Sequence, residues 1–151
     1  ELLRGHIHFS AAELMVLSAC QTANPEFREL PDEVLGLPLG LMLAGVPRIA
    51  CTMWRVDDRV AALFSKQLYQ ELFVNRRSGA AAVDAAQRWL REATVSTLKG
   101  TVSSLRRALG NHDDESEMML SNLWRDLLTR EPTDTPFASP EHWAAFAYVG
   151  I

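Results

Sequence analysis

Glu13 to Thr22 reads ELMVLSACQT, and the fold and the chemistry both start from this stretch. Leu14, Met15, Val16 and Leu17 form a continuous apolar run of strand length, the pattern of a parallel strand covered on both faces rather than of an alternating surface strand. The run gives way to Ser18-Ala19-Cys20-Gln21-Thr22, small and polar residues suited to a loop. In open α/β sheets ligands bind outside the carboxyl ends of the strands, so this loop is the expected place for a site. The ordinary fate of a free cysteine is burial as an inert small hydrophobe. Cys20 differs in ending an apolar strand among small neighbours, which makes it the candidate nucleophile.

The composition bounds the classes available. The chain has 151 residues, 48% hydrophobic and 23% charged, enough for one domain with a sizeable core. A net charge of -4 offers no basic footprint, so nucleic-acid binding through phosphate neutralisation is not expected. No apolar run approaches the roughly 18 residues of a membrane span, and no basic-then-apolar leader opens the sequence; a cytoplasmic protein with no membrane partner is the expectation. Cys20 and Cys51 lie in separate apolar segments. Without a secretory leader, two reduced thiols are favoured over a disulfide, and two are too few for a metal framework. No cofactor and no metal are expected.

Downstream of Cys20, a polar stretch with Pro25 and Pro31 is too long for a tight turn and reads as a loop beside the site. Asp32 is a plausible N-cap for a helix ending near Ala44, with Gly45 as its C-terminal glycine and Pro47 beyond. Pro38 should kink that helix or mark its true start. Arg48 to Trp54, RIACTMW, reads as a second strand, followed by Arg55-Val56-Asp57-Asp58. From Arg59 to about Asn75, Val60, Leu63, Phe64, Leu68, Leu72 and Phe73 recur at helical spacing and mark a core-facing stripe. Ser78 is a natural N-cap for a helix through Ala81, Val83, Ala85, Trp89 and Leu90. Helical patterns recur around Val102 to Leu109 and Met118 to Leu128. The acidic run at Asp113, Asp114, Glu115 and Glu117 lacks the spaced ligands and glycine of a calcium loop and reads as a solvated helix start. After a proline-rich connection from Pro132 to Pro140, His142 to Gly150 is expected to be a closing strand.

LSACQT resembles the nucleophile segment of the CHAT domain family, caspase-like cysteine peptidases related to separase. The resemblance continues, in the same order, through DEVLGLPLGLMLAGVPRIACTMWRVDD, AAQRWLRE and HWAAFAYVG. It implies a caspase-like α/β fold: a largely parallel central sheet with helices on both faces. Residues 1–151 would then be the C-terminal part of such a domain, with 94–131 as a helical insertion that the resemblance does not cover and that is expected to be dispensable for the core. Many relatives carry glycines after the Cys-x-Thr, where this chain has Ala23 and then Phe27-Arg28-Glu29-Leu30-Pro31.

The resemblance also implies roles. Cys20 would act with a histidine, and Ser18, Ala19, Trp54, Asp57 and Asp58 would contact a protein or peptide substrate. Asp57 or Asp58 would either read a basic side chain before the cut bond, through charge-assisted hydrogen bonds, or cap the next helix; both can hold for adjacent residues. In caspase-type peptidases the histidine lies about 50 residues before the cysteine, whereas His6 and His8 stand immediately upstream of the nucleophile strand. An extended His-x-His pair faces one side and suits a metal, but no nearby Cys, Asp or Glu cluster completes a site. The resemblance implies that the catalytic histidine lies upstream of Glu1, in a region acting as this chain's partner, and that helical repeats further upstream are a regulatory partner. By itself the chain is expected to be nearly inert, since a free thiol near pKa 8.5 is only a few per cent ionised at neutral pH. Two other readings stand beside the cysteine endopeptidase: a catalytically inactive CHAT-type binding or signalling module, and a redox or metal-binding domain using Cys20 and Cys51.

Overall fold

The computed structural model describes residues 13–17, 33–109 and 114–150. Its elements run β1 (Met15–Leu17), α1 (Glu33–Leu43), β2 (Arg48–Thr52), α2 (Asp58–Tyr69) with a π-helical extension (Gln70–Val74), α3 (Gly79–Glu92), α4 (Val95–Leu109), α5 (Asp114–Leu128), α6 (Pro140–Trp143) and β3 (Phe146–Gly150).

Among the described residues, β2 is the centre of a three-stranded sheet ordered β1-β2-β3. Its apolar run is covered on both faces, and alternation sends successive side chains to opposite sides. Ile49 and Cys51 join Met15, Leu17, Ala147 and Val149 on one face, beneath Leu41, Met42 and Val46. Ala50 joins Leu14, Val16, Phe146 and Tyr148 on the other, in the larger core built with α2 and α3. Helices thus cover both faces, α1 on one side and the α2–α3 layer on the other.

The sheet is mixed, which corrects the expectation of a largely parallel one. β1 pairs parallel to β2, with Leu17 opposite Cys51, but β3 pairs antiparallel to β2, with Phe146 opposite Thr52 and Gly150 opposite Arg48. The entry point of the chain explains the reversal. Met53 N–H donates to Ala145 C=O at 2.7 Å, so β3 starts where β2 stops and has to run back along it. β1 is half-buried rather than fully covered, because among the described residues it has a strand on one side only.

α1 ends as its glycine suggests. Gly45 has φ of 98°; its N–H bonds Met42 C=O, while Val46 N–H reaches back to Leu41 C=O, both at 3.0 Å. This is a Schellman closure with Val46 packed beside Leu41. Pro38 lies inside the helix and does not mark its start.

α2 keeps the expected stripe as far as Leu68, with Val60, Leu63, Phe64 and Leu68 buried. Phe64 lies parallel to Phe146 with centroids 3.6 Å apart, tying α2 to β3. Phe73, expected in that stripe, is 74% exposed and stacks on Tyr69. The π-helical extension accounts for this: each extra residue in a turn rotates the later side chains off the 3.6-residue stripe. Buried Glu71 holds the extension in place, accepting hydrogen bonds from Gln67, Asn75 and Arg77 at 2.8 Å each. Those bonds, the one from Asn75 foremost, keep its carboxyl below the usual range.

Ser78 occupies the N-cap of α3, but through its backbone, since its side chain makes no cap bond. Ala82, Val83, Ala86 and Leu90 face the core, one position on from the alanines that the sequence suggested. The expected closing strand from His142 is shorter than read: Pro140–Trp143 is a helical turn, with Pro140 in the first turn where its missing N–H costs nothing. The acids Asp114, Glu115 and Glu117 do open a helix, α5.

The segment 94–131 packs more deeply than expected. Val95, Leu98 and Val102 of α4 and Leu120, Leu123 and Leu127 of α5 are all buried in the same core as α2, α3 and the sheet. Their removal would uncover the α2–α3 layer, so the core is expected to need this segment. Leu98→Ala should cost about 2–5 kcal/mol in a denaturant titration. Replacing 95–128 by a short linker should abolish the cooperative thermal transition; a sharp transition in the deletion variant would show that the sheet, α2 and α3 form a core unaided.

Candidate functional site

Because β1 and β2 are parallel and in register, the chain leaves both strands at the same edge of the sheet, after Leu17 and after Thr52. At that edge the described site is the turn from Met53 to Asp58. Val56 is its buried plug, at 6% exposure, while Met53, Trp54, Arg55, Asp57 and Asp58 are exposed around it. Arg55, Val56, Asp57 and Asp58 line an open depression of about 380 Å³. Trp54 donates its indole N–H to Glu141 C=O at 3.0 Å, which ties the half-exposed ring to α6.

The structure settles which of the two acids is the cap. Asp57 is the N-cap of α2: its backbone is extended, and its carboxylate accepts Arg59 N–H at 2.8 Å. The same carboxylate takes the Arg59 guanidinium in a two-point grip, Nε at 2.9 Å and Nη2 at 2.7 Å. These side-chain bonds are the main reason that Asp57 titrates below the usual carboxylate range; partial burial opposes them, and His142 adds a weaker pull. Asp58, in the first turn of α2, has no hydrogen-bond or ion-pair partner among the described residues. Its carboxylate is the free negative charge at the depression.

Cys51 sits inside β2, packed beneath α1, and burial pushes its thiol up. A thiol held neutral in an apolar layer is neither nucleophile nor ready metal ligand. The candidate nucleophile Cys20, its neighbours Ser18 and Ala19, the histidines His6 and His8, the prolines Pro25 and Pro31 and the proposed cap Asp32 all lie outside the described residues. The structure therefore brings Trp54, Asp57 and Asp58 together and does not address the others. No group of His, Cys, Asp and Glu among the described residues could hold a metal ion.

Arg59, Glu141 and Asp126 were not read from the sequence as parts of the site. Arg59 stands two residues after the cap, where a helix-start analysis could have found it. Glu141 contributes only a backbone carbonyl, and Asp126 is brought in by packing, so neither carries a local signal.

The fold is that of a mixed α/β protein, with an exposed turn carrying a free carboxylate and a half-exposed tryptophan at the carboxyl edge of its parallel strand pair. The CHAT domain family matches residues 1–151, the whole chain, and the protein belongs to that caspase-like, peptidase-related family. No curated protein and no solved structure matches the chain. No helix among the described residues is long and apolar enough to cross a membrane.

Two measurements check the site. Brief iodoacetamide treatment of the native protein should leave Cys51 unmodified and label it only on unfolding; rapid native labelling at Cys51 would contradict its burial. Asp57 contributes stability above the unfolded aspartate range near pH 3.9 and loses it as pH falls through its depressed folded value. Asp57→Ala should cost about 1 kcal/mol at neutral pH, and Asp57→Asn, itself a good cap, less. Urea midpoints followed from pH 7 to pH 2 should show a shallower acid limb in both variants.

Proposed function

We propose that this chain is the cysteine-bearing part of a cysteine endopeptidase, with Cys20 as nucleophile and a histidine from a region preceding Glu1 as its partner. The observation that carries the reading is the register of β1 and β2. Leu17 pairs with Cys51, and three residues beyond each stand Cys20 and Trp54. The chain thus leaves β1 and β2 at one edge of the sheet, which supports reading Cys20 and the Trp54–Asp58 turn as parts of one site. Family membership supports the same reading.

In this mechanism the histidine takes the proton of Cys20, and the thiolate attacks the carbonyl carbon of the peptide bond. Backbone N–H groups stabilise the oxyanion, the imidazolium protonates the leaving amine, and water then hydrolyses the thioester. Asp58 reads a basic side chain before the cut bond, with the Trp54 ring as the wall along which its aliphatic stem lies. Asp57 serves as helix cap and is not free to read substrate. The substrate is a protein or peptide, and helical repeats upstream would supply the activating signal.

The test is a peptide library varied at the residue before the cut bond, assayed with the protein that includes the preceding region. Basic side chains should be favoured, and Cys20→Ala should abolish cleavage. When bound substrate covers the depression, removing one partner of the pair costs about 2–5 kcal/mol, so Asp58→Asn should lower kcat/KM for the basic series by roughly 30-fold to several thousand-fold. Asp57→Asn should leave the preference intact. Cleavage of apolar and basic series with equal efficiency would remove Asp58 from recognition. Absence of cleavage in a protein shown to contain the histidine would favour a binding or signalling module on the same fold.

A further inference from the structure

The Asp57 carboxylate, the Arg59 guanidinium and the Asp126 carboxylate form a continuous chain from the site turn to α5. Arg59 grips both oxygens of Asp57 and turns its remaining nitrogen, Nη1, to Asp126. The residues are far apart in sequence, yet their meeting is set by the core. Val60 and Leu63 beside Arg59, and Leu123 and Leu127 beside Asp126, are buried in one cluster. That packing fixes α2 against α5 before the ion pairs form, so little further ordering is needed to close them. Isolated surface pairs contribute little, but a shared, two-point guanidinium bridge between pre-positioned helices imposes geometry as well as attraction.

The consequence falls on the turn. Its other fixed points include the Trp54 indole on Glu141 C=O and the Met53 N–H on Ala145 C=O, both at its start, and Val56, buried in the core at its middle. The far end, where Asp58 projects, is held by the Asp57 cap, and Arg59 ties that cap to α5. Arg59 also neutralises Asp57, which leaves Asp58 as the unpaired carboxylate on a lining that also carries Arg55.

We propose that Arg59 is a positioning residue for substrate recognition, clamping the Trp54–Asp58 turn to α5 so that α5 holds the Asp58 carboxylate at the mouth of the depression. The proposal rests on the reading of Asp58 as the acid that binds substrate. A lysine at position 59 could not span both carboxylates, because an ammonium lacks the planar fork of guanidinium.

The test combines hydrogen–deuterium exchange with peptide kinetics on the protein that includes the preceding region, comparing the parent with Arg59→Met, Arg59→Lys and Asp126→Asn. Exchange at the amides of residues 55–59 should accelerate several-fold in Arg59→Met and Asp126→Asn and less in Arg59→Lys, with β2 amides unchanged. Asp126→Asn should raise KM for basic peptides several-fold while leaving kcat unchanged, and Asp126→Glu should restore it. Unaltered exchange at 55–59 in Asp126→Asn would overturn the clamp. Acceleration that extends equally through β2 would also overturn it, since Arg59 would then only stabilise the fold. If the parent protein cleaves no peptide, the peptidase reading fails, and the exchange data decide the clamp alone.

Discussion

β2 has to be buried on both faces, and the arrangement of the whole molecule derives from that requirement. Its middle residues Ile49, Ala50 and Cys51 send apolar side chains to alternating sides, so neither face can be left to water. α1 closes one face with Leu41 and Met42, helped by Val46. α2 and α3 close the other, and Ala50 is small enough to let them approach. The strand's edges are served by β1 on one side and β3 on the other. Once these neighbours are in place, the chain leaving β2 at Thr52 emerges at the carboxyl edge, and the Met53–Asp58 turn is made there.

The same requirement explains why α4 and α5 belong to the core. α2 and α3 are amphipathic, yet the layer they form is too thin to shield its own interior. Leu98 and Val102 from α4, with Leu120, Leu123 and Leu127 from α5, complete the cluster on the side away from the sheet. A second effect of this packing is electrostatic. The leucine stripe of α5 brings Asp126 to the start of α2, where Arg59 joins it to the helix cap. Core packing and site geometry are thus linked through one side chain.

Much of this was legible in local pattern. The strand at RIACT, a helix opening after an aspartate cap at Asp57 or Asp58 and the glycine closure at Gly45 each depend on residues within a turn or two of one another. Local pattern failed where a single residue changed the geometry of the chain beyond it. The π-helical extension moved Phe73 off the core stripe, and Ser139-Pro140 favoured a helical turn over the start of a strand. Hydrophobic periodicity takes a constant number of residues per turn for granted and cannot register such a shift.

The sequence by itself determined the alternation of helices and strands, the identity of the turn that carries Trp54, Asp57 and Asp58, and membership of the CHAT domain family, because each is written in contiguous residues. Only the tertiary structure decided that β3 runs antiparallel, since strand direction depends on where the chain re-enters the sheet and not on the composition of the strand. It also decided which acid is free. Asp57 and Asp58 are adjacent and chemically identical, and the difference between them is Arg59, held over Asp57 by its own helix and by an aspartate 67 positions along the chain.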